Sequence, residues 1–132
     1  MGRPITTRSG GICFAFPNVC ITPGAPPTPI PYPSVGQLAD TQGPASDVYA
    51  GSSLVVTKDA SISSTTGDAA GTGGGVSGSP PTCGGPVKFT GASGTVFADG
   101  KAVVRMFDTT DQNNGNARGT VLGGLPTVLV GD

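Results

Sequence analysis

An all-β domain of short hairpins joined by long Gly- and Pro-rich connections is the fold class this sequence predicts. Gly and Pro together supply 36 of the 132 residues with no triplet period, which leaves little room for long helices. All eight acids are Asp, Leu and Met are scarce, and Val and Thr fill the chain, so strong helix formers give way to strand formers. The pair Asp99-Gly100 separates two apolar runs between Thr95 and Val104 and supplies the positive φ angles of a two-residue type I′ hairpin turn. A chain of 132 residues suffices for one compact domain and not for two with separate cores.

Residues 1 to 11 are polar, end on Gly10-Gly11 and carry Arg3 and Arg8; they read as a mobile arm ahead of a single domain over residues 12 to 132. Ile12 to Ile21 is the first apolar cluster, and Pro17-Asn18 divides it into two extended segments with a turn between them. Six prolines between Pro23 and Pro33 force an extended stretch. Within it Ile30 and Tyr32 alternate with Pro29, Pro31 and Pro33, a stiff strip that can pack on a surface at small entropic cost. Residues 35 to 40 have room for one helical turn. Leu54 to Thr57 reads as a short strand within Tyr49 to Lys58, with Ser61-Ile62-Ser63 as its continuation or partner.

Residues 63 to 85 are almost entirely Ser, Thr, Gly, Ala and Pro and read as a flexible loop, in which Gly73-Gly74-Gly75 marks close backbone approach or a tight turn. A phosphate cradle does not fit there, because no Gly-Lys-Ser/Thr follows and no helix begins. Val87-Lys88-Phe89 is a strand ahead of the Asp99-Gly100 hairpin, Arg105-Met106-Phe107 prolongs the second arm of that hairpin, residues 111 to 116 form a turn, and Thr127 to Val130 is a last strand.

Composition also excludes function classes. Leu, Ile, Val and Phe sum to only 28 residues, so the core is thin and gains from a partner or a bound ion. With 15 charged residues and a net charge of −1, self-repulsion is small, and the seven scattered Lys and Arg offer no basic face for nucleic acid. No apolar run is long enough to span a membrane and no signal-peptide core is present, so the expected product begins as a soluble cytoplasmic protein. The absence of His removes Ser-His-Asp and Cys-His sites and imidazole metal ligands. Acid–base catalysis would need Asp68, Asp108 and Asp111 in one pocket, and no enzyme is expected.

Cys13, Cys20 and Cys83 are odd in number and leave three readings open: buried thiols in a reducing compartment, a zinc site of thiolates completed by an Asp or water, or a Cys13–Cys20 disulfide. Asp108 and Asp111 flank Thr109-Thr110 and read as turn residues; Arg105 points to solvent or pairs with a nearby Asp.

Four segments in register resemble the PAAR-like proteins of contractile injection machines. They are Phe16-Pro17-Asn18-Val19-Cys20, Pro29-Ile30-Pro31-Tyr32-Pro33, Thr66 through Gly78, and Gly100 through Arg105 running into Asn113-Asn114-Gly115-Asn116, together spanning about residues 12 to 118. The resemblance implies a small conical tip that caps the trimeric β-helical spike of a type VI secretion system, phage tail or tailocin, one tip per trimer. The tip would pierce a target envelope, the membrane entering only as what is pierced; an adaptor carrying separate effector cargo is the alternative. Assembly would be cytoplasmic, with delivery outside the cell or within a virion or tailocin particle. Residues 119 to 132 are too few for a toxin, and none is expected here.

Gly, Ser, Thr and Pro suit a tapering end, and surplus apolar surface would be covered at a blunt base by the spike. A threefold partner requires one chain to show it three similar faces. Tips of this class bind a metal near the apex through His and Cys; Cys20 matches, His is missing, and Asp111 stands about where a His precedes the Asn-Gly stretch. A zinc or iron ion would then rest on Cys13, Cys20, Cys83 and Asp111, or packing or a disulfide would substitute for it.

Overall fold

β-Branched runs punctuated by positive-φ residues build strands and turns, with one short 3-10 turn among the described residues. The computed structural model describes residues 2–78 and 81–131. Its strands are β1 (Arg3–Ile5), β2 (Ile12–Thr22), β3 (Thr28–Gln37), β4 (Thr41–Gln42), β5 (Tyr49–Ala50), β6 (Ser53–Leu54), β7 (Ser61–Ile62), β8 (Val87–Phe89), β9 (Phe97–Ala98), β10 (Lys101–Ala102), β11 (Thr109–Gln112), β12 (Ala117–Leu122) and β13 (Leu125–Val130). The helical turn expected within residues 35 to 40 is a 3-10 turn at Leu38–Asp40. The all-β fold class stands.

The main sheet is antiparallel, in the order β3-β2-β12-β11-β8-β7-β4. The proline strip is its edge strand β3, where a missing N–H costs no ladder bond. β2 is one strand and not two segments about a turn: Ile12 to Ala15 pair with β12, and the register shifts between Ala15 and Asn18. Past that shift Asn18 to Thr22 keep β3 on one side and gain the 73–76 segment on the other, through Ile21 N–H to Gly74 O (2.9 Å) and Val76 N–H to Val19 O (3.0 Å).

Three further expectations need correction. The arm at residues 1 to 11 is not free: Arg3–Ile5 pairs with β13, and Ile5, Thr6 and Thr7 are buried, because an apolar-to-threonine run beside Val130 closes a core. The loop at 63 to 85 is tied down over its described residues, since glycines let its backbone reach β2; Ser79 and Pro80 of that loop, with Met1 and Asp132, lie outside the described residues. Arg105 to Phe107 does not prolong a strand. The Asp108 carboxylate accepts the Arg105 amide at 2.8 Å and folds the segment into a turn, with Phe107 at φ 72°.

Two apolar clusters lie back to back. One gathers Cys13, Leu38, Val56, Ile62, Val87, Phe89, Val104 and Val121. The other gathers Ile5, Ala45, Ala50, Val55, Ala98, Val103 and Val130. Neighbours Val55 and Val56, and Val103 and Val104, serve opposite clusters, as alternation along a strand requires.

Candidate functional site

Between the two clusters three short segments close a ring of backbone hydrogen bonds. Thr6 N–H donates to Val104 O, Val104 N–H to Val56 O and Val56 N–H to Thr6 O, each at 3.0 Å. Flanking them, Arg8 N–H donates to Leu54 O (3.1 Å), Lys58 N–H to Ala102 O (2.9 Å) and Met106 N–H to Pro4 O (2.8 Å). Bridges Thr7–Val55, Thr57–Val103 and Ile5–Arg105 complete the same cycle. The positions 6, 56 and 104 are therefore related by a pseudo-threefold axis within a single chain.

The symmetry extends to what each segment carries. Tyr49 faces Leu54 and Ala50 faces Ser53 in the first hairpin; Phe97 faces Ala102 and Ala98 faces Lys101 in the second. In the third, Leu129 faces Pro4 and Val130 faces Arg3. The first two are closed by Gly51-Ser52 (φ 59° and 72°) and Asp99-Gly100 (φ 53° and 76°), both with the paired positive φ of a type I′ turn. The third is assembled from both ends of the chain.

An ion cluster pins that open corner. Arg105 grips Asp108 through Nε (3.1 Å) and Nη2 (3.0 Å), Arg3 reaches the same carboxylate at 2.8 Å, and Arg105 Nη1 donates to Gly131 O at 3.1 Å. Asp99 links neighbouring corners by accepting the Ser46 N–H and hydroxyl, and these bonds hold its carboxyl below the usual Asp value.

Equivalent positions present equivalent surfaces. Tyr49, Phe97 and Leu129 are 62%, 59% and 62% exposed, and Val48, Val96 and Val128 beside them 36%, 37% and 36%. Ala50, Ala98 and Val130 turn inward to the shared cluster. One face of the ring thus shows three copies of a valine next to a large apolar side chain.

Beyond the register shift of β2 lies a different construction, a buried polar knot. Asn18, Cys20, Asp68 and Asn113 are almost completely buried. Asn18 donates to Asp68 Oδ2 (2.8 Å), Asn113 and Asn116 donate to Asn18 Oδ1, and Asp68 Oδ2 also accepts Gly84 N–H (3.0 Å). Gly71, Gly73 and Gly75 let the loop approach so closely that a Cβ at each would press on Cys20, Ile21 and Asn116 respectively. Burial first, then the nearby Asp68 charge, pushes the Cys20 thiol up to about 11; the same two causes raise Cys83.

The four residues expected to share an ion are dispersed. Cys13 is buried in an apolar cluster, which pushes its thiol up to about 12, and lies seven residues before Cys20 on β2, about 23 Å at strand rise. That span also rules out their disulfide, and all three cysteines are free. Asp111 lines an open groove of about 490 Å³ with Lys58, Asp59 and Lys88. Cys20 and Cys83 do converge, on either side of Asp68, with sulfur-to-carboxylate distances of 3.9 and 3.8 Å. Among the described residues no group of three or more Cys or Asp is arranged to hold a metal ion. Asp68, Asp108 and Asp111 likewise occupy three separate environments: knot, ion cluster and groove.

Sequence reasoning read Asn18, Asn113 and Asn116 as turn formers and passed over Tyr49, Phe97 and Leu129. The available signal was the recurrence of a two-residue turn before a Val-Val pair at 51–56 and 99–104.

A small all-β domain with an internal threefold ring and an Asn-rich knot is the class defined by these features. The model of the toxin PAAR-like domain matches residues 11–119, and the chain belongs to that family. PAAR-like domains are associated with spike proteins. Comparison with curated proteins and with solved structures returned no match.

Proposed function

We propose that this chain is a non-enzymatic tip that caps a trimeric spike of a contractile injection machine through the face bearing Tyr49, Phe97 and Leu129. One observation carries the reading: a single chain repeats one apolar surface three times about a backbone-bonded ring. A closed C3 needle end offers three identical patches, and a monomer binds all of them equally only by imitating that symmetry. Exposed apolar side chains clustered on one face mark an interaction surface, and covering a large one is worth about 1.5–3 kcal/mol.

The role is mechanical. The ring is held by main-chain bonds, the open corner by a buried ion cluster and the far end by the knot, so load on the tip passes through packed strands to the spike. Assembly in the producing cell and delivery beyond it, with an envelope as the pierced target, complete the reading. The experiment is reconstitution with a trimeric spike and measurement of complex mass: one tip per three spike chains is expected, and any other ratio contradicts it.

A second reading, an adaptor for separate cargo, is favoured by Phe14 and Leu122. They are 38% and 39% exposed on the sheet face opposite Cys13 and Val121.

A further inference from the structure

We infer that in this chain the cross-link assigned by family resemblance to a metal ion is made instead by amide side chains, with Asn113 at its centre. The orientation of each amide is fixed by a group that can only donate. Gly85 N–H meets Asn113 Oδ1 at 2.9 Å, and Ser77 N–H meets Asn116 Oδ1 at 2.7 Å. Their oxygens therefore face outward to the backbone and their amino groups face inward. Both amino groups converge on Asn18 Oδ1, which leaves the Asn18 amino group to bond Asp68 Oδ2.

The consequence falls on Cys20. Its sulfur is faced by the Asn113 amino group at 3.6 Å, and the two oxygens beside it, Asn18 Oδ1 at 3.6 Å and Asp68 Oδ2 at 3.9 Å, each already accept two N–H bonds. A zinc ion needs about four lone-pair donors at roughly 2.0–2.3 Å. Drawing one from Asn113 would require its amide to flip, which would leave the buried Gly85 N–H without its acceptor and also break the Thr82 hydroxyl bond at 2.7 Å. Among the described residues, the buried side-chain nitrogen or oxygen without a partner is Thr57 Oγ1, in the ring segment and not in the knot. The knot joins β2, the 68–85 loop and the 113–116 turn, three segments that a single ion would otherwise tie together.

The test does not depend on what the ring face binds. Purified full-length chain is assayed for metal content and melted with and without a chelator, and again with one equivalent of zinc chloride. Less than about 0.1 equivalent of metal and a melting temperature unmoved by chelator or zinc are expected. About one equivalent of bound zinc or iron, or a melting temperature lowered by chelator, overturns the inference. In the same assay Asn113→Ala is expected to melt more than about 5 °C lower, and wild-type melting by that variant also overturns it. Should Asn113→Ala not fold, the chelator and metal measurements on the unaltered chain decide alone.

Discussion

The ring and the knot stabilise the same chain by opposite means. In the ring the bonds are between backbone groups, so the side chains that face outward are free to serve a partner: Tyr49, Phe97 and Leu129 differ in chemistry and agree in position. In the knot the bonds are between side chains, so each amide is tied to its own donors and acceptors. A surface meant to bind is built on exchangeable side chains; a joint meant to hold is not.

Several substitutions break or sharpen this contrast. Arg105→Ala should have the largest effect, destabilising by about 3–5 kcal/mol in chemical denaturation. It removes one of the two cations paired with the buried Asp108, leaving Arg3 and the main-chain amide of residue 105, and opens the corner where β1 meets β13. A loss below about 1 kcal/mol would show that the open corner needs no pin.

Glycines separate the two regions next. Alanine at Gly73 brings a Cβ to 2.7 Å from Ile21 Cβ and 2.8 Å from Ile21 O, and about 1–3 kcal/mol of stability should be lost. Gly94, beside the second hairpin, has nothing within 4 Å, and its alanine variant should stay within about 0.5 kcal/mol of wild type.

The remaining effect is a pH dependence. Burial raises Cys13 from its ordinary value of 9.0 to about 12, so the unfolded thiol loses its proton first. Its stabilising contribution is complete below pH 9 and declines as pH rises from 9 toward 12; Cys20 in the knot adds the same sign from 9.0 to about 11. Melting followed across that range should fall less steeply in Cys13→Ala than in wild type, and parallel curves would contradict it.

Much of the fold was legible. The Asp99-Gly100 pair announced its hairpin, the alternation of Ile30 and Tyr32 with prolines announced an extended strip, and Gly73 to Gly75 announced close approach. The internal symmetry was not legible, for two physical reasons. Each repeat is a few residues long and fixed by main-chain bonds that constrain side chains weakly: Val56 and Val104 recur after their turns, but Thr6 stands in the third position with no such turn before it. The third hairpin is also split between the chain ends, so no local pattern joins Arg3 to Val130. The site was half legible. Cys20, expected as a metal ligand, a buried thiol or a disulfide partner, lies in a buried polar centre, while Asn18, Asn113 and Asn116 have the composition of turns, and only their long-range bonds reveal a knot. Cys13 was grouped with Cys20 by chemistry and Asp111 by its place before the Asn-Gly stretch; the turn expected at Pro17-Asn18 would have let Cys13 approach Cys20, whereas the continuous β2 holds them seven residues apart.

Binding of the tip to a trimeric spike by calorimetry, with Tyr49→Asp, Phe97→Asp and Leu129→Asp made singly and together, tests the central claim most directly. Each single change is predicted to weaken binding by a comparable factor, about tenfold or more, and the triple change to abolish it while the melting temperature stays near wild type. Unaltered affinity in the triple variant, or one position carrying the whole effect, would contradict a threefold docking face.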